Sequence, residues 1–461
     1  MSAQFIAKTG RVKSWQENPE GRLPVSCTVM SIEDSYDGEG GIADAITFAA
    51  HALRFGAGCA IDVSKLRPRG SDNGKGLIAS GPVSFLKIFS VLNEVLRRGG
   101  QYRSGAVVSH CALSHPDINE YLTASRQELP WLKRCVDVTE EMWNAASQET
   151  KDLVLSGVRN GDIWLSKMKW DLHGERIYSN VCLEIYLRSK GTCLLSHING
   201  GALHLEDIVP AFEQGMTELC ELHGRTGVDK SGHYLSPKED RQVGLGILGL
   251  ANHLSIHGVT YDEFGDALAL INKAGPSTKL ETPALLLAAE WRKGIEAAER
   301  IARANRMERA FTIAPTATCS YNYTDLRGNT TCPEIAPPIN RNVDRVSSTF
   351  GTQTVSYGDV EICSEVGYDS FLKVANGLVQ MMTDTGLFHG YSLNWWSDMI
   401  TMDENFIQDW FASPQTSLYY SLQVQPDTLR KDDAAAIIED DDYRNIFALD
   451  EEEQFCSSCA E

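Results

Sequence analysis

A seven-residue stretch, SNVCLEI at positions 179–185, places an amide, a thiol and a carboxylate at alternate positions. If the stretch is extended, its side chains alternate between two faces, so Asn180, Cys182 and Glu184 share one face. The apolar residues between them then face the other way, into packing. Three polar groups that converge in this way are the groups of acid–base and thiol chemistry. Taken alone, a core strand with a buried, inert cysteine is the simpler interpretation.

Further thiols are spread along the chain, which has twelve cysteines. Cys193 follows Cys182 by eleven residues, and Cys27 lies in the segment PVSCTVM; singly, each is more typical of a core thiol than of a catalyst. The N-terminus has no apolar signal core, so reduced thiols with a redox or catalytic subset are favoured over a disulfide framework. The chain has one Cys-x-x-Cys pair, Cys456 and Cys459, which disfavours a zinc site.

The C-terminal segment changes composition after Pro426 and becomes densely acidic. Such a composition is typical of a solvated, mobile tail. A tail has no packing use for thiols, yet this one ends in Cys456 and Cys459. A dithiol arm that swings into a site is therefore the favoured interpretation.

Three other segments suggest ligand binding or close packing. Residues 314–320, APTATCS, offer hydroxyls and backbone N–H groups to an anion, although an ordinary polar turn is equally compatible. The basic, glycine-rich loops at 67–76 and 97–105 suit nucleotide recognition, with structural turns as the alternative. Residues 244–249, GLGILG, match the dinucleotide fingerprint, but no convincing strand precedes them. We interpret these glycines as close-packing positions in a helix.

Composition and periodicity indicate a globular α/β protein. The net charge of −20 argues against a general nucleic-acid binder, and no apolar run is long enough to span a bilayer. We therefore expect a soluble, cytoplasmic chain without nucleic-acid or membrane partners. Short β-like runs alternate with amphipathic helices at 41–54, at 205–223 and after Thr282-Pro283, which predicts a largely parallel sheet with helices outside. We divide the chain into an N-terminal arm (1–26), a catalytic domain (27–425) and the flexible acidic tail (426–461).

Together these segments resemble the catalytic subunit of the class I ribonucleotide reductases. The resemblance runs in order from Pro24 to the last cysteine. It rests on PVSC (24–27), RPRGS (67–71), GPVSF (81–85), HPDI (115–118), SNVCLEI, GLGILGL (244–250), PTATCS (315–320), LYY (418–420) and the final Cys-x-x-Cys.

The resemblance implies a fold and a reaction. The fold is a ten-stranded α/β barrel, built from two five-stranded parallel halves that are antiparallel to each other, with the radical cysteine on a central finger loop. The reaction is the reduction of ribonucleotides, most typically diphosphates, to deoxyribonucleotides. Cys182 would become the thiyl radical, Glu184 the general base and Asn180 the orienting amide. Cys27 and Cys193 would supply two electrons, and the tail pair would reduce their disulfide.

The resemblance also assigns binding and radical-transfer residues. Tyr419 and Tyr420 match a stacked pair that passes the radical from a second subunit. The substrate phosphates would lie against Ser26, Thr316, Ala317, Thr318, Cys319 and Ser320, where Ala317 departs from the polar residue common in the family. The deoxynucleotide effector would lie against Asp34, Arg67, Lys75 and Arg103.

Expected partners follow from the same resemblance. They are a ferritin-like small subunit that carries the di-metal radical cofactor, a second copy of the chain, and thioredoxin or glutaredoxin. The chain itself would hold no metal, apart from Mg²⁺ that accompanies a bound dNTP or ATP. The short segment before Cys27 leads us to expect a minimal form, such as a viral one, without the N-terminal ATP-binding cone. Two alternatives stay open: an adenosylcobalamin-dependent reductase, and a non-catalytic nucleotide-binding regulator that kept the fold.

Overall fold

The computed structural model describes residues 4–72, 74, 76–96, 106–274, 279–347, 351–393, 403–418 and 436–438. The strands in these residues are β1 (Ile6–Lys8), β2 (Cys27–Ser31), β3 (Gly58–Asp62), β4 (Val107–Ala112), β5 (Lys133–Val138), β6 (Ile163–Lys167), β7 (Lys169–Trp170), β8 (Arg176–Ser179), β9 (Tyr186–Leu187), β10 (Leu195–Asn199), β11 (Gln242–Leu248), β12 (Arg309–Ile313), β13 (Asn342–Ser347), β14 (Gly351–Ser356), β15 (Phe388–Leu393), β16 (Ser417–Leu418) and β17 (Ala436–Ile438).

The helices in the same residues are α1 (Gly10–Glu17), α2 (Ile42–Arg54), α3 (Pro82–Val95), α4 (Ile118–Thr123), α5 (Glu140–Ala145), α6 (Gln148–Arg159), α7 (Ile208–His223), α8 (Leu250–His257), α9 (Tyr261–Ala274), α10 (Pro283–Ala304), α11 (Ala317–Ser320), α12 (Cys363–Val366), α13 (Tyr368–Asp384) and α14 (Glu404–Ala412). Short 3₁₀ helices cover Gly200–Ala202, Leu205–Asp207 and Val228–Ser231.

One large sheet dominates the molecule, with strands in the order β1-β10-β11-β12-β15-β16-β6-β5-β4-β3-β2. Strands β2 to β6 are parallel to one another, and so are β10, β11, β12, β15 and β16. The two halves meet antiparallel where β16 pairs with β6. The predicted pair of five-stranded halves is therefore confirmed, and β1 adds an eleventh strand to them.

Backbone hydrogen bonds also join the two ends of this sheet. Thr28 in β2 forms an antiparallel bridge with Thr192, which lies just before β10. On one side of this bridge, the Lys190 N–H donates to the Val29 carbonyl oxygen at 2.7 Å. The ten strands of the two halves thus surround a common interior, as a barrel requires.

The N-terminal residues take part in this sheet. β1 pairs antiparallel with β10, with Ala7 opposite His197. Thr9 then caps α1, because its side chain accepts the Val12 N–H at 3.4 Å. β1 and α1 thus lie within the predicted N-terminal arm (1–26), and a strand of three residues shows too little periodicity to recognise from the sequence.

Apolar side chains form an outer core and an inner cluster. The outer core fills the space between the sheet and the helices, and it includes Ile61 of β3. The inner cluster lies inside the barrel and includes the neighbouring Ala60, together with Cys27, Cys182 and Cys193. The alternation follows from the two-residue period of a strand, and covering both faces explains why these parallel strands are apolar throughout.

The helices predicted from periodicity are confirmed. α2 covers the first predicted segment, and α7 with the preceding 3₁₀ turn covers the second. α10 begins at Pro283, and the Thr282 side chain caps it by accepting the Leu285 N–H at 3.2 Å. Among the helices of the described ranges, none combines the length and the apolarity that a membrane crossing needs.

Candidate active site

The stretch SNVCLEI forms a tight turn between β8 and β9. These strands pair antiparallel, with Ser179 opposite Tyr186. The Asn180 N–H donates to the Ile185 carbonyl oxygen at 2.8 Å, and the Leu183 N–H donates to that of Asn180 at 3.2 Å. Leu183 takes a left-handed φ of 66°, as tight turns often demand. The extended conformation considered for this stretch is therefore wrong, and the finger loop expected from the resemblance is confirmed.

The Asn180 side chain holds Glu184 within this turn. Its Oδ1 accepts the backbone N–H groups of Glu184 and Ile185, both at 3.1 Å. Its Nδ2 donates to Glu184 Oε1 at 2.9 Å. Both side chains are fully buried, so their orientation is fixed by these bonds. The amide and the carboxylate converge as the sequence predicts, but through a turn instead of through the alternation of a strand.

Thr312 in β12 fixes the other side of the turn, and the sequence analysis missed it. Its Oγ1 lies 2.9 Å from the Glu184 carbonyl oxygen and 3.0 Å from that of Gly390 in β15. One buried hydroxyl therefore ties the finger loop to two strands of the second half. A single threonine in an apolar strand gives no sequence signal of such a role.

Cys27 and Cys193 lie opposite each other where the ends of the sheet join. The Cys193 N–H donates to the Cys27 carbonyl oxygen at 2.8 Å, and its own carbonyl oxygen accepts the Ser26 N–H at 3.0 Å. Asn180 Nδ2 lies 3.8 Å from Cys193 Sγ. Cys182 belongs to the same buried cluster as these two cysteines. The structure thus places the three cysteines in one buried cluster, and Asn180 contacts both Glu184 and Cys193.

A buried carboxyl group supports the segment that carries Cys193. Asp240 Oδ2 accepts the Thr192 N–H at 2.8 Å and a hydrogen bond from Gln242 Nε2 at 3.1 Å. Gln242 Nε2 also bonds to the Thr192 carbonyl oxygen. Burial raises the pKa of Asp240 to about 6, although these hydrogen bonds and the nearby Arg309 oppose the shift. Asp240 is therefore a positioning residue that the sequence analysis did not identify.

A buried ionic network lies at the carboxyl ends of β3, β4 and β5. The Arg176 guanidinium lies 2.7 Å from Asp137 Oδ2 and 3.9 Å from Asp62 Oδ1. His110 Nδ1 lies 2.9 Å from Asp137 Oδ1. Burial raises the pKa of Asp62, more than Arg176 lowers it. Cys135 lies beside this group. The potential metal-ligand atoms of His110, Cys135 and Asp137 fall within 4.8 Å of one another. Because Asp137 already binds a guanidinium and an imidazole, the group suits ion pairing and not a cation.

Two of the three glycines of GLGILG, Gly244 and Gly246, lie in strand β11, and Gly249 directly precedes α8, so their prediction as helix positions is wrong. A methyl group at Gly244 would lie 2.5 Å from Leu195 Cδ2 and 2.7 Å from Ile185 Cδ1. At Gly246 it would lie 2.7 Å from His197 Nδ1. The glycines therefore give the finger loop and β10 room to pack against β11 inside the barrel. The charged residues just before β11 concealed its start in the sequence.

The predicted phosphate cradle forms the turn from β12 into α11. The Thr316 N–H donates to Glu334 Oε1 at 2.8 Å, and the Glu334 N–H donates to Thr316 Oγ1 at 2.7 Å. The Ser320 Oγ donates to the Ala317 carbonyl oxygen at 2.8 Å. Thr316, Cys319 and Ser320 are buried, and burial raises the pKa of the Cys319 thiol to about 12. Glu334, which was not among the predicted site residues, thus bonds to both the backbone N–H and the hydroxyl of Thr316.

Known proteins resemble the chain in sequence. Residues 25–166, nearly all of the first five-stranded half, match the family described as "Ribonucleotide reductase, barrel domain". The vitamin B12-dependent ribonucleoside-diphosphate reductase of Mycobacterium tuberculosis (strain CDC 1551 / Oshkosh) is 27% identical over 282 residues, which are 52% of this chain and 40% of that protein. Residues 25–166 are thus similar to the barrel domain of ribonucleotide reductases. The enzyme of the same printed name from Thermoplasma acidophilum is 36% identical over 107 residues, 22% of this chain and 13% of that protein.

A solved structure has the same fold as this chain. It is the Actinobacillus ureae class Id ribonucleotide reductase alpha subunit, with a TM-score of 0.61 and 18% sequence identity. The match covers 93% of this chain and 89% of that one. At this identity the likeness concerns the fold. The chain spans about 40% of the length of the Mycobacterium tuberculosis relative.

Two of the predicted effector residues contact each other. Arg67 Nε lies 2.8 Å from Asp34 Oδ2, and the Arg67 N–H donates to Asp34 Oδ1 at 3.1 Å. Both side chains are about one third exposed, at 36% and 37%. The pair closes the start of the first glycine-rich loop at the surface, where an incoming ligand could reach it.

Several predicted residues fall outside the part of the chain that the structure describes. They are Lys75, Arg103, Tyr419, Tyr420, Cys456, Cys459 and the side chain of Thr318. β16 ends at Leu418, directly before the tyrosine pair. Of the predicted tail, the structure describes residues 436–438, which form β17 and pair parallel with β13.

Proposed function

We propose that the chain is the catalytic component of a ribonucleoside-diphosphate reductase. One observation carries the proposal: Cys27 and Cys193 lie opposite each other across a backbone hydrogen bond of 2.8 Å, beside a buried amide–carboxylate pair. Two opposed thiols can deliver two electrons by forming a disulfide. A buried carboxylate held by an amide can act as a base on a sugar hydroxyl.

In the proposed reaction, a Cys182 thiyl radical takes the hydrogen atom from C3′ of the ribose and returns it at the end. Glu184 accepts the proton of the 3′-hydroxyl, and Asn180 keeps this carboxylate in place. The 2′-hydroxyl leaves as water with a proton from Cys27. Cys27 and Cys193 together give two electrons and two protons, so the nucleotide loses one oxygen atom while one disulfide forms.

The tail cysteines would restore the dithiol. Cys456 and Cys459 exchange with the Cys27–Cys193 disulfide, and thioredoxin or glutaredoxin then reduces the tail pair. The acidic composition of the segment supports this role, because a solvated tail can reach both the barrel and a partner protein. Replacing both tail cysteines by Ser should stop turnover that thioredoxin drives and leave turnover with a small dithiol intact.

For the radical source, we propose a ferritin-like small subunit with a di-metal cofactor. The adjacent Tyr419 and Tyr420, which follow Leu418 in the sequence, support this choice, because two neighbouring phenols can relay an electron. A second candidate is an adenosylcobalamin-dependent reductase. It is supported by relatives of the chain that are named as vitamin B12-dependent reductases.

For regulation, we propose a dNTP or ATP effector site at the interface of a homodimer. Asp34 and Arg67, which pair at the surface, would bind the effector together with Lys75. Arg103, on the second glycine-rich loop, would carry the signal to the substrate base. Coupling then requires that each effector binds one loop arrangement better than another. We place this enzyme in the cytoplasm, without nucleic-acid or membrane partners.

An assay of deoxynucleotide formation tests the proposal. The chain is combined with a nucleoside diphosphate, a small dithiol and one radical source at a time: metal-loaded small subunits, or adenosylcobalamin alone. We expect product with a small subunit, and Cys182→Ala should abolish it. Cys220→Ala, a buried cysteine of α7, is the matched control and should stay active. Product with adenosylcobalamin alone would select the second candidate, and no product with any source would refute the reductase proposal.

A further inference from the structure

A histidine inside the barrel is not explained by the proposed mechanism. His197 lies in β10, opposite Gly246 of β11 and Ala7 of β1. Alternate residues of a strand share a face, so His197 lies on the same face as Leu195. Leu195 belongs to the inner cluster that contains the candidate thiols. The His197 ring is therefore directed toward the barrel interior and not toward the outer helices.

The His197 ring is fully buried, yet neither ring nitrogen has a hydrogen-bond partner among the residues that the structure describes. Other buried imidazoles are bonded: His253 Nδ1 lies 2.9 Å from the Gly200 carbonyl oxygen, and its Nε2 accepts from Trp291 Nε1 at 3.2 Å. An unsatisfied buried polar group costs about 1–3 kcal/mol. A ligand that bonds to the ring would remove this cost.

The surroundings of His197 connect the two parts of the candidate site. A methyl group added at Gly246, which would touch His197, would also lie 3.1 Å from the Thr312 carbonyl oxygen. Thr312 is the residue whose hydroxyl contacts the Glu184 backbone in the finger loop. On the other side, Ala7 clusters with Cys319 of the predicted phosphate cradle. His197 thus lies between the finger loop and the cradle.

The cradle side of this position carries a positive charge. The Lys13 ammonium lies 4.5 Å from the ring centre of Tyr323, a member of the same small cluster as Cys319. It is also close enough to oppose the burial-driven rise in the pKa of the Cys319 thiol. An anion would therefore be favoured on this side of His197.

We propose that His197 binds the diphosphate group of the substrate nucleotide. This inference rests on the proposed function and deepens it, because it adds an imidazole donor to the predicted phosphate cradle, where Thr316 and Ser320 already bond within the chain. A ring N–H donates to a phosphate oxygen, and the bond satisfies a nitrogen that is otherwise unpaired. The glycine at 246 leaves the space that the ring occupies.

The protonation of the ring agrees with this assignment. Burial lowers the pKa of His197 to about 3, so the ring is neutral at pH 7 while no anion is bound. A bound diphosphate adds negative charge beside the ring and raises its pKa. The titration of this single histidine is therefore a direct readout of diphosphate binding.

The experiment uses the full chain with ¹⁵N-labelled histidine and compares CDP, inorganic pyrophosphate and cytidine. His197→Asn identifies the His197 signals among those of the eleven histidines. We expect CDP and pyrophosphate to shift these signals and to raise the His197 pKa, and cytidine to do neither. His197→Leu should weaken CDP binding about 10- to 100-fold, as expected for loss of one hydrogen bond to a charged group, and leave cytidine binding unchanged.

Ser196→Ala is the matched control, since Ser196 lies next to His197 but faces the other side of β10. It should bind CDP like the wild type. The inference would be overturned if His197→Leu bound CDP with unchanged affinity and if CDP did not shift the His197 signals of the wild type. The proposed function would still stand in that case. Equal weakening of CDP and cytidine would overturn the assignment to the diphosphate. If the wild type bound no nucleoside diphosphate, the proposed function would fail as well. If His197→Leu does not fold, two other readouts test the inference: the shift of the wild-type His197 signals on addition of CDP, and the CDP affinity of His197→Asn.

Discussion

The backbone N–H of Cys193 donates to the carbonyl oxygen of Cys27 at 2.8 Å, so two cysteines that are 166 positions apart face each other at the seam of the barrel. Residues opposite each other in antiparallel strands have Cβ atoms about 4.5–5.5 Å apart. A disulfide needs about 3.5–4.5 Å. The backbone adjacency of the two cysteines is therefore compatible with a disulfide between them.

In a chain whose two tail cysteines, Cys456 and Cys459, are replaced by Ser, a single turnover without external reductant should convert Cys27 and Cys193 to a disulfide. Alkylation followed by mass spectrometry should then find two alkylated cysteines fewer than before turnover, and the two that are lost should be Cys27 and Cys193. Cys27→Ser should form no disulfide at the site, while Cys220→Ser, in α7, should behave like the wild type. Oxidation of other cysteines in place of this pair would contradict the assignment.

Replacing Asn180 should both destabilise the chain and stop turnover. Asn180→Leu removes three hydrogen bonds of the finger loop, so we expect the free energy of unfolding to fall by about 2–5 kcal/mol. Asn180→Asp keeps the acceptor but places a second carboxylate beside Glu184. Denaturant titration measures the loss of stability, and an assay of product formation measures the loss of turnover. Asn305→Asp, at an exposed position after α10, should change stability by less than about 0.5 kcal/mol. An Asn180→Asp variant as active as the wild type would rule out the orienting role.

A methyl group at Gly244 should destabilise the barrel. Gly244→Ala would overlap Leu195 and Ile185, and overpacking of a core costs about 1–3 kcal/mol. Urea unfolding measures the loss. Gly224→Ala is the control, because the nearest atom to its added methyl lies 3.8 Å away and its φ is −66°. We expect no loss there, and wild-type stability in Gly244→Ala would disprove the close approach.

The buried Asp240 should make stability fall as the pH rises from about 4 to about 6. Its pKa is about 6 in the folded chain and near 3.8 when unfolded, so the folded state holds one more proton between these values. Unfolding then releases a proton, which a higher pH favours. The Asp240→Asn variant should lack this contribution. Unfolding titrations at several pH values test it, and equal pH dependence in both proteins would argue against a raised pKa.

Tyr420→Phe separates the two radical sources. Loss of the phenol should abolish turnover with a small subunit and leave nucleotide binding intact, because Phe keeps the ring but cannot be oxidised in the same way. Product formation and nucleotide affinity are measured side by side. Tyr36→Phe, at a position 58% exposed, is the control. Full activity of Tyr420→Phe would exclude the radical-transfer role.

Local patterns explain the parts of the fold that were predicted correctly. α2, α7 and α10 carry their apolar periodicity and caps within their own segments, so the sequence reveals them. β11 was missed because a strand buried on both faces shows no alternation, and its glycines resemble helix packing positions. The finger loop was misjudged as extended, because a seven-residue alternation also fits a turn that an asparagine closes.

The sequence by itself determined which chemical groups are present: the thiols, the amide and carboxylate of SNVCLEI, and an ordered set of motifs that resembles those of the ribonucleotide reductases. Only the tertiary structure decided that Cys193 lies opposite Cys27, that Thr312 and Asp240 hold the segments around them, and that the His197 ring lies buried inside the barrel. These relationships join residues far apart in the chain. They arise from strand register and barrel closure, which local periodicity does not encode.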